Sequence, residues 1–412
     1  MERGIRVFGL SVLAGVLLVS APAKAHSAFP QQDEAATLAR INADLKANRT
    51  QAAFRAAEEF ASRSSKDPRA LFSLGLVMAE NSQYERAAAL FTKVNALRPH
   101  AYEVLYNLGV AEYNLKNLAE AADALAEAAD LNPTPPETHF RLGLIASERG
   151  DHENAVIEFR HAAERAPRRA NYHYLLGREY FRMGYWSDAA QAYKRATELD
   201  PKQPLFLLSL GNALSRANNY AAATAPFERA AALDPKLADI NFLIGYAYRA
   251  QGKFEQAQKF FERQLALQPN HVEALANLGY LALEQGRYPE AEKYLQRVLA
   301  AQPDHVAAHF DLGRMYFKVH QYDQAAPLFQ RVIQLAPDYT QAYYELFLTY
   351  TRTGKSELAQ ATLAEFKKLE ELDKKVKMEQ DHLQKLRKEG AGGLPGGKAA
   401  PDAVPAGAAP SG

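Results

Sequence analysis

The stretch Leu275-Ala276-Asn277-Leu278-Gly279-Tyr280, answered by Glu290-Ala291-Glu292-Lys293-Tyr294-Leu295, decides the fold, because its glycine is one mark of a ruler. Glycines stand 34 residues apart at Gly75, Gly109, Gly143, Gly177, Gly211, Gly245, Gly279 and Gly313. Twelve residues after each comes an alanine, from Ala87 to Ala325, with Ala359 in a ninth unit whose glycine is replaced by Phe347. Twenty-four residues after each comes a proline, from Pro99 to Pro337. A fixed period in this range means stacked supersecondary units, and a period of 34 belongs to helix–turn–helix repeats.

The physics of one unit accounts for each fixed residue. With the glycine as position 8, apolar side chains recur at positions 4, 7, 8 and 11, one face of a helix. Position 7 is leucine in every unit except at Ile244. Glycine inside a helix costs about 1 kcal/mol relative to alanine, so its repetition requires a packing reason: two helices approach there with no side chain between them. The alanine at position 20 has the same logic on the second helix. Large residues return at position 24, as Phe91, Phe159, Tyr193, Phe227, Phe261 and Phe329, to fill the space between units. The proline ends the second helix, having no N–H and disfavouring helical geometry in the residue before it. Glycine at position 15 in five units (Gly150, Gly184, Gly252, Gly286, Gly354) provides a left-handed cap for the first helix.

At these residues the chain resembles the tetratricopeptide repeat family. The resemblance covers residues 68–373 as nine repeats and implies an all-α solenoid, a right-handed superhelix of antiparallel helix pairs. A helical segment at 26–67 holds a degenerate repeat: Ala53, Ala57 and Phe60 keep phase, while Ile41 replaces the glycine and Ser65 the proline. From Ser356 the last second helix runs on, because Glu371 stands where the stop proline belongs. Residues 374–389 read as its continuation, a polar capping helix of the kind that repeat arrays need for solubility. Residues 390–412, rich in glycine, alanine and proline, read as a disordered tail.

Residues 1–25 read as a secretory signal: Arg3 and Arg6, an apolar run from Val7 to Val19, then Ala23-Lys24-Ala25 as the cleavage pattern. The run is shorter than the ~20 residues of a membrane span, so the expectation is an exported bacterial protein, periplasmic or secreted, with no integral span in the mature chain; a retained anchor is the alternative. With no cysteine in the chain, neither a lipid anchor on cysteine nor a disulfide is available. The 49 basic and 48 acidic side chains become 46 and 47 without Arg3, Arg6, Lys24 and Glu2. That balance leaves no electrostatic footprint for nucleic acid or anionic lipid.

Chemistry is sparse. No phosphate-binding glycine loop and no cysteine nucleophile occur. His139, His173 and His309 occupy position 4, with His305 one turn before His309. Spacing of i, i+4 suits two imidazoles on one metal, but a zinc site needs at least three protein ligands, and no third is indicated. The histidines are therefore read as structural, and the expectation is no metal, no cofactor and no enzymatic activity.

The remaining surface is the opposite stripe of the first helices, at positions 2, 5 or 6, 9, 12 and 13, which the resemblance places on the concave side. Its central units carry Tyr174, Arg178, Phe181 and Arg182, then Asn212 and Arg216, then Phe242, Tyr246 and Arg249. Arginine and aromatic side chains carry much of the energy of interfaces, and a peptide with acidic or carboxylate-terminal character suits them. The family's two-carboxylate clamp is not reproduced, since Leu208 and Leu243 stand at two of its positions. The expectation is a scaffold of the cell envelope that holds a protein or peptide in this groove, with envelope assembly or secretion as the process. The alternatives are a self-assembling structural repeat protein, with homo-oligomerisation, and the accessory arm of an enzyme complex.

Overall fold

The computed structural model describes residues 31–390, so the expected signal at 1–25 and nearly all of the expected tail at 390–412 lie outside the described residues. Among the described residues the chain is all-α, with 20 helices and no strand. It divides between Leu131 and Asn132. The first unit holds α1 (Gln31–Lys46), α2 (Thr50–Arg63), α3 (Pro68–Glu80), α4 (Tyr84–Leu97), α5 (Tyr102–Asn114) and α6 (Leu118–Leu131). The second begins with α7 (Pro136–Glu148), α8 (His152–Arg165), α9 (Ala170–Arg182), α10 (Trp186–Leu199), α11 (Pro204–Arg216), α12 (Tyr220–Leu233) and α13 (Ile240–Ala250). It continues with α14 (Phe254–Leu267), α15 (Val272–Glu284), α16 (Tyr288–Ala301), α17 (Val306–Lys318), α18 (Tyr322–Leu335), α19 (Thr340–Arg352) and α20 (Ser356–Gly390). Within each unit odd and even helices form pairs, and pairs stack on their neighbours. No described helix is long and apolar enough to cross a membrane.

The glycine at position 8 accommodates a side chain, not a bare backbone contact. A Cβ at any of the eight glycines would meet the position-24 residue of the same repeat at less than 3.0 Å. The partner is an aromatic ring in six repeats and Leu125 or Leu295 in the other two. The large residue at position 24 therefore closes its own helix pair rather than the space between units. In the degenerate first repeat this relation is inverted. Ile41 stands at position 8 and the small Ala57 at position 24, both buried in one cluster, so bulk has changed sides.

The first helix turns into the second through a left-handed residue at position 15. The five glycines there have φ between 71° (Gly354) and 79° (Gly184). Ser82, Lys116, Asn218 and His320 adopt the same conformation in the remaining full repeats, and Asn48 in the degenerate one. At Gly150 the turn is closed by Gly150 N–H to Ser147 O at 3.1 Å and Asp151 N–H to Ala146 O at 2.9 Å, which satisfies carbonyls that the helix end leaves free. Second helices end two positions before the proline, as α4 does at Leu97 ahead of Pro99. Pro226 and Pro327 lie inside α12 and α18.

Burial is wider than the stripe at positions 4, 7, 8 and 11. Position 3 is buried throughout, from Ala70 to Ala342. Position 10 is buried from Ala111 through Ala213, Ala247, Leu281 and Met315 to Thr349. The cause is that a first helix inside a unit is packed by its own second helix on one side and by the preceding second helix on the other. The stripe of the first helices left open is correspondingly narrower. At the far end, α20 packs through Ala359 and through Phe366, whose ring lies 5.3 Å from that of Tyr344. Every described side chain from Glu371 to His382 is exposed.

Candidate functional site

The side chains singled out on α9, α11 and α13 fall into two groups, each built where one repeat's first helix meets its neighbours. Tyr174, at position 5, is an inter-repeat wedge: its ring stacks on Phe206 of α11 at 4.8 Å and tilts against Tyr193 of α10 at 5.6 Å. Phe242 takes the same place on α13, against Phe261 at 5.9 Å and His271 at 5.3 Å. Both are half-buried and both pack between helices.

Arg178 and Arg182 gather around a carboxylate that sequence reading passed over. Glu179 is fully buried, and it pairs with Arg178 Nη2 at 2.8 Å and Arg182 Nη1 at 3.7 Å. It also accepts from Ser147 Oγ at 2.9 Å and lies 2.8 Å from His152 Nδ1. A buried charge persists only when paired and hydrogen-bonded, and here one carboxylate has four partners from three helices. Its signal was available: Glu179 is the one charged residue in the position-10 column of otherwise apolar or small side chains. The effect is to hold two arginines of α9 in fixed positions, with Arg182 43% exposed.

Next along, Phe181 meets Trp186 edge-on at 4.9 Å, and the Arg216 guanidinium stands 6.0 Å over the Trp186 ring. Trp186, absent from the sequence-based set, is at position 17, where Tyr84, Tyr220, Phe254, Tyr288 and Tyr322 also occur; the recurring aromatic was its signal. One repeat further, Tyr246 joins Phe242 and Tyr220, and Arg249 lies between two rings, 5.0 Å from Tyr246 and 5.3 Å from Tyr280. Burial, and after it the neighbouring Tyr246, raise the Tyr220 phenol above its ordinary pKa. Among the described residues neither Arg216 nor Arg249 makes an ion pair. Asn212 is half-buried on the same face of α11.

A third polar group lies on α15, α17 and α19. Arg314 reaches Glu284 at 3.0 Å and Asp311 at 3.5 Å. Burial outweighs the nearby guanidinium and pushes the Asp311 carboxyl up to about 6, and burial likewise raises Glu345. On the second-helix side an open cleft of about 750 Å³ runs between α10 and α12, lined by Ala190, Lys194, Leu214, Pro226 and Arg229 among others.

The position-4 histidines have a shared structural role. His173 Nε2 and His309 Nε2 donate to the carbonyls of Pro167 and Pro303 at 3.1 and 2.8 Å, and Tyr343 donates to Pro337 O at 3.1 Å. His305 instead caps α17, accepting from Ala308 N–H at 3.1 Å. The i, i+4 pair therefore has two separate duties.

Comparison with known proteins agrees with the repeat architecture. Models described as Tetratricopeptide repeat match residues 38–97, 79–136, 174–238, 242–306 and 277–340, with further matches at 316–377 and 136–169. The chain belongs to the tetratricopeptide repeat family. Its repeats make it a protein–protein interaction scaffold, and the repeat fold is typically non-enzymatic. The search of curated proteins returned no match. Similar solved structures include residues 41 to the end of MamA from Desulfovibrio magneticus RS-1, at 20% identity and a TM-score of 0.39, covering 42% of this chain and 97% of that one. YrrB, described as a repeat protein of this family with an unusual peptide-binding site, has 17% identity and a TM-score of 0.42, covering 47% of this chain and 97% of YrrB. The C-terminal part of a repeat protein from Cytophaga hutchinsonii has 17% identity and a TM-score of 0.43, covering 67% of this chain and 99% of its own.

Proposed function

We propose that the chain is an exported scaffold of a bacterial cell envelope that holds an acidic or carboxylate-terminated segment of a partner protein along the first helices α9, α11 and α13. The observation that carries this reading is the pair of half-exposed aromatic–guanidinium stacks, Phe181–Trp186–Arg216 and Tyr246–Arg249–Tyr280. Rings and guanidinium planes held by one another present large contact area with little side-chain freedom left to lose on binding. Among the described residues Arg216 and Arg249 make no close ion pair, so an acidic partner can pair with them directly. The secretory pattern at residues 1–25 supports export, and the polar run at 374–389 is consistent with the end of the array.

The test is capture of crosslinked partner from the envelope fraction by the mature chain, compared with an Arg216→Glu, Arg249→Glu double variant. Capture is expected to fall more than tenfold, or about 1.4 kcal/mol, with helicity unchanged. A Lys259→Glu, Lys293→Glu control on α14 and α16 should capture normally. Loss in the control with retention in the double variant places the binding surface on the second helices. N-terminal sequencing of the exported protein is expected to begin near His26. A second reading, self-association, is favoured by the exposed Leu372, Val376 and Met378 of α20; sedimentation of the purified chain as a monomer removes it.

A further inference from the structure

The helix pair α7–α8 carries a side-chain cluster that the groove does not use. His139 stands at the start of α7, beside the last turns of α8, where Glu158 and His161 share one face at i and i+3. One ligand atom from each of these three residues lies within 4.8 Å of the other two. The two imidazole rings meet edge to face, 5.1 Å between centroids.

The hydrogen bonding of His139 is incomplete without a cation. Its Nε2 is 3.2 Å from Pro133 O, and its Nδ1 is 2.8 Å from Glu158 Oε2. The carbonyl and the carboxylate both only accept, whereas a neutral imidazole has a single N–H, so in either tautomer one ring nitrogen turns a bare lone pair toward an acceptor. A positive centre between them, a proton or a metal ion, removes the conflict. The Pro133 carbonyl is held in place by Arg165, whose Nε donates to it at 2.6 Å while Nη1 donates to His161 O at 3.1 Å. His161 Nδ1 is buried with no hydrogen-bond partner, as is His309 Nδ1, but of the two only His161 stands beside a second imidazole and a carboxylate, where an ion would account for it.

The other position-4 histidines separate the ordinary role from the special one. His173 and His309 make the same bond to a prolyl carbonyl, yet among the described residues the only trio with metal-ligand spacing is His139, Glu158 and His161. The proline bond is thus general to the position, and the carboxylate and second imidazole are additions.

We propose that His139, Glu158 and His161 form a binding site for a divalent first-row transition metal, with zinc as the natural occupant. Two imidazoles and one carboxylate are a zinc ligand set that leaves a fourth position for water, and imidazole nitrogen favours zinc, copper or nickel over magnesium or calcium. The Nε2–H bond to Pro133 orients the His139 ring, as the outer hydrogen bond of a ligating histidine does. Bound there, the ion ties the start of α7 to the end of α8. It is a structural staple in a chain that has no disulfides.

The experiment is calorimetric titration of the tag-free chain with Zn²⁺, with Co²⁺ absorption as a second readout of nitrogen and oxygen ligation. The wild type is expected to take one zinc ion at this site and to melt several degrees higher with it, because binding to the folded state alone stabilises it. His161→Ala and Glu158→Gln should each weaken uptake at least tenfold with circular dichroism unchanged, and His309→Ala should leave it intact. Absence of uptake by the wild type at micromolar zinc, or uptake by both variants as tight as the wild type's, overturns the proposal. So does a doubly protonated His139 in NMR spectra that zinc does not alter, which assigns the positive centre to a proton.

Discussion

Phe261 Cε1 lies 2.7 Å from the point where a Cβ on Gly245 would stand, and the ring itself is fully buried. That distance is shorter than real Cβ contacts allow, and the ring has no open space to retreat into. Gly245→Ala gains about 1 kcal/mol of helix propensity but forces an overpacked core that costs about 1–3 kcal/mol. The expected net loss is about 1 kcal/mol, read by urea unfolding. Gly286→Asn is the contrast, since a Cβ there meets nothing within 4 Å and Asn218 holds the same left-handed place with φ 58°. It should cost less than about 1 kcal/mol.

The inverted pair Ile41 and Ala57 predicts a compensating double substitution. Ile41→Gly empties a fully buried site and is expected to cost about 3–5 kcal/mol. Ala57→Phe alone overfills the neighbouring space at about 1–3 kcal/mol. Together they restore the glycine–aromatic arrangement of the regular repeats, so the double variant should be more stable than the sum of the singles by at least about 1 kcal/mol. Strict additivity in denaturant unfolding shows that the two positions do not share one space.

What could be read from the chain beforehand was whatever the period repeats. Helix pairs, the proline stops and the left-handed glycines recur at fixed phase, and each is dictated by backbone geometry that every unit must satisfy. The reading failed where a contact depends on one residue meeting one other. Glu179 binds Arg178, Arg182, Ser147 and His152 through side-chain positions that periodicity does not specify. Glu158 and His161 are ordinary surface letters of a second helix until α7 brings His139 beside them. Tyr174 and Phe242, whose position 5 could also be read as packing between adjacent helices, were placed on the open stripe for another reason. A helix packed on two sides buries two stripes, and a single amphipathic face is the wrong template for it.

Asp311 predicts a pH dependence of stability. Its carboxyl is pushed up to about 6 in the fold from a usual 3.8, chiefly by burial, with Glu284 adding to the rise and Arg314 and Arg249 opposing it. Between those two values the folded chain holds a proton that the unfolded chain releases. This contribution to stability is therefore present below pH 4 and lost as the pH rises through about 6, by up to roughly 3 kcal/mol. Asp311→Asn keeps the shape without the charge, and Arg314 retains Glu284 at 3.0 Å. The variant should match the wild type near pH 4 and exceed it at pH 7.5 by about 1–3 kcal/mol. An unfolding difference between the two proteins that does not change with pH refutes the assignment.

Glu179 separates stability from function. Removing one partner of a buried ion pair costs about 3–5 kcal/mol because the other charge is stranded, whereas an apolar residue of similar volume is often neutral or stabilising. Arg178 and Arg182 are 27% and 43% exposed and can turn to water, and the equivalent residues of other repeats include Leu281 and Met315, both buried. Glu179→Ala is accordingly expected to lower the melting temperature by several degrees, and Glu179→Met to leave it equal or raised. If the carboxylate exists to position the two arginines, Glu179→Met should still weaken partner capture at least threefold, since ordering them then costs the bound state free energy that the wild type has already spent. Full capture by a stable Glu179→Met variant would instead make the network a feature of packing alone, and would leave Arg216 and Arg249 as the groove's only charged anchors.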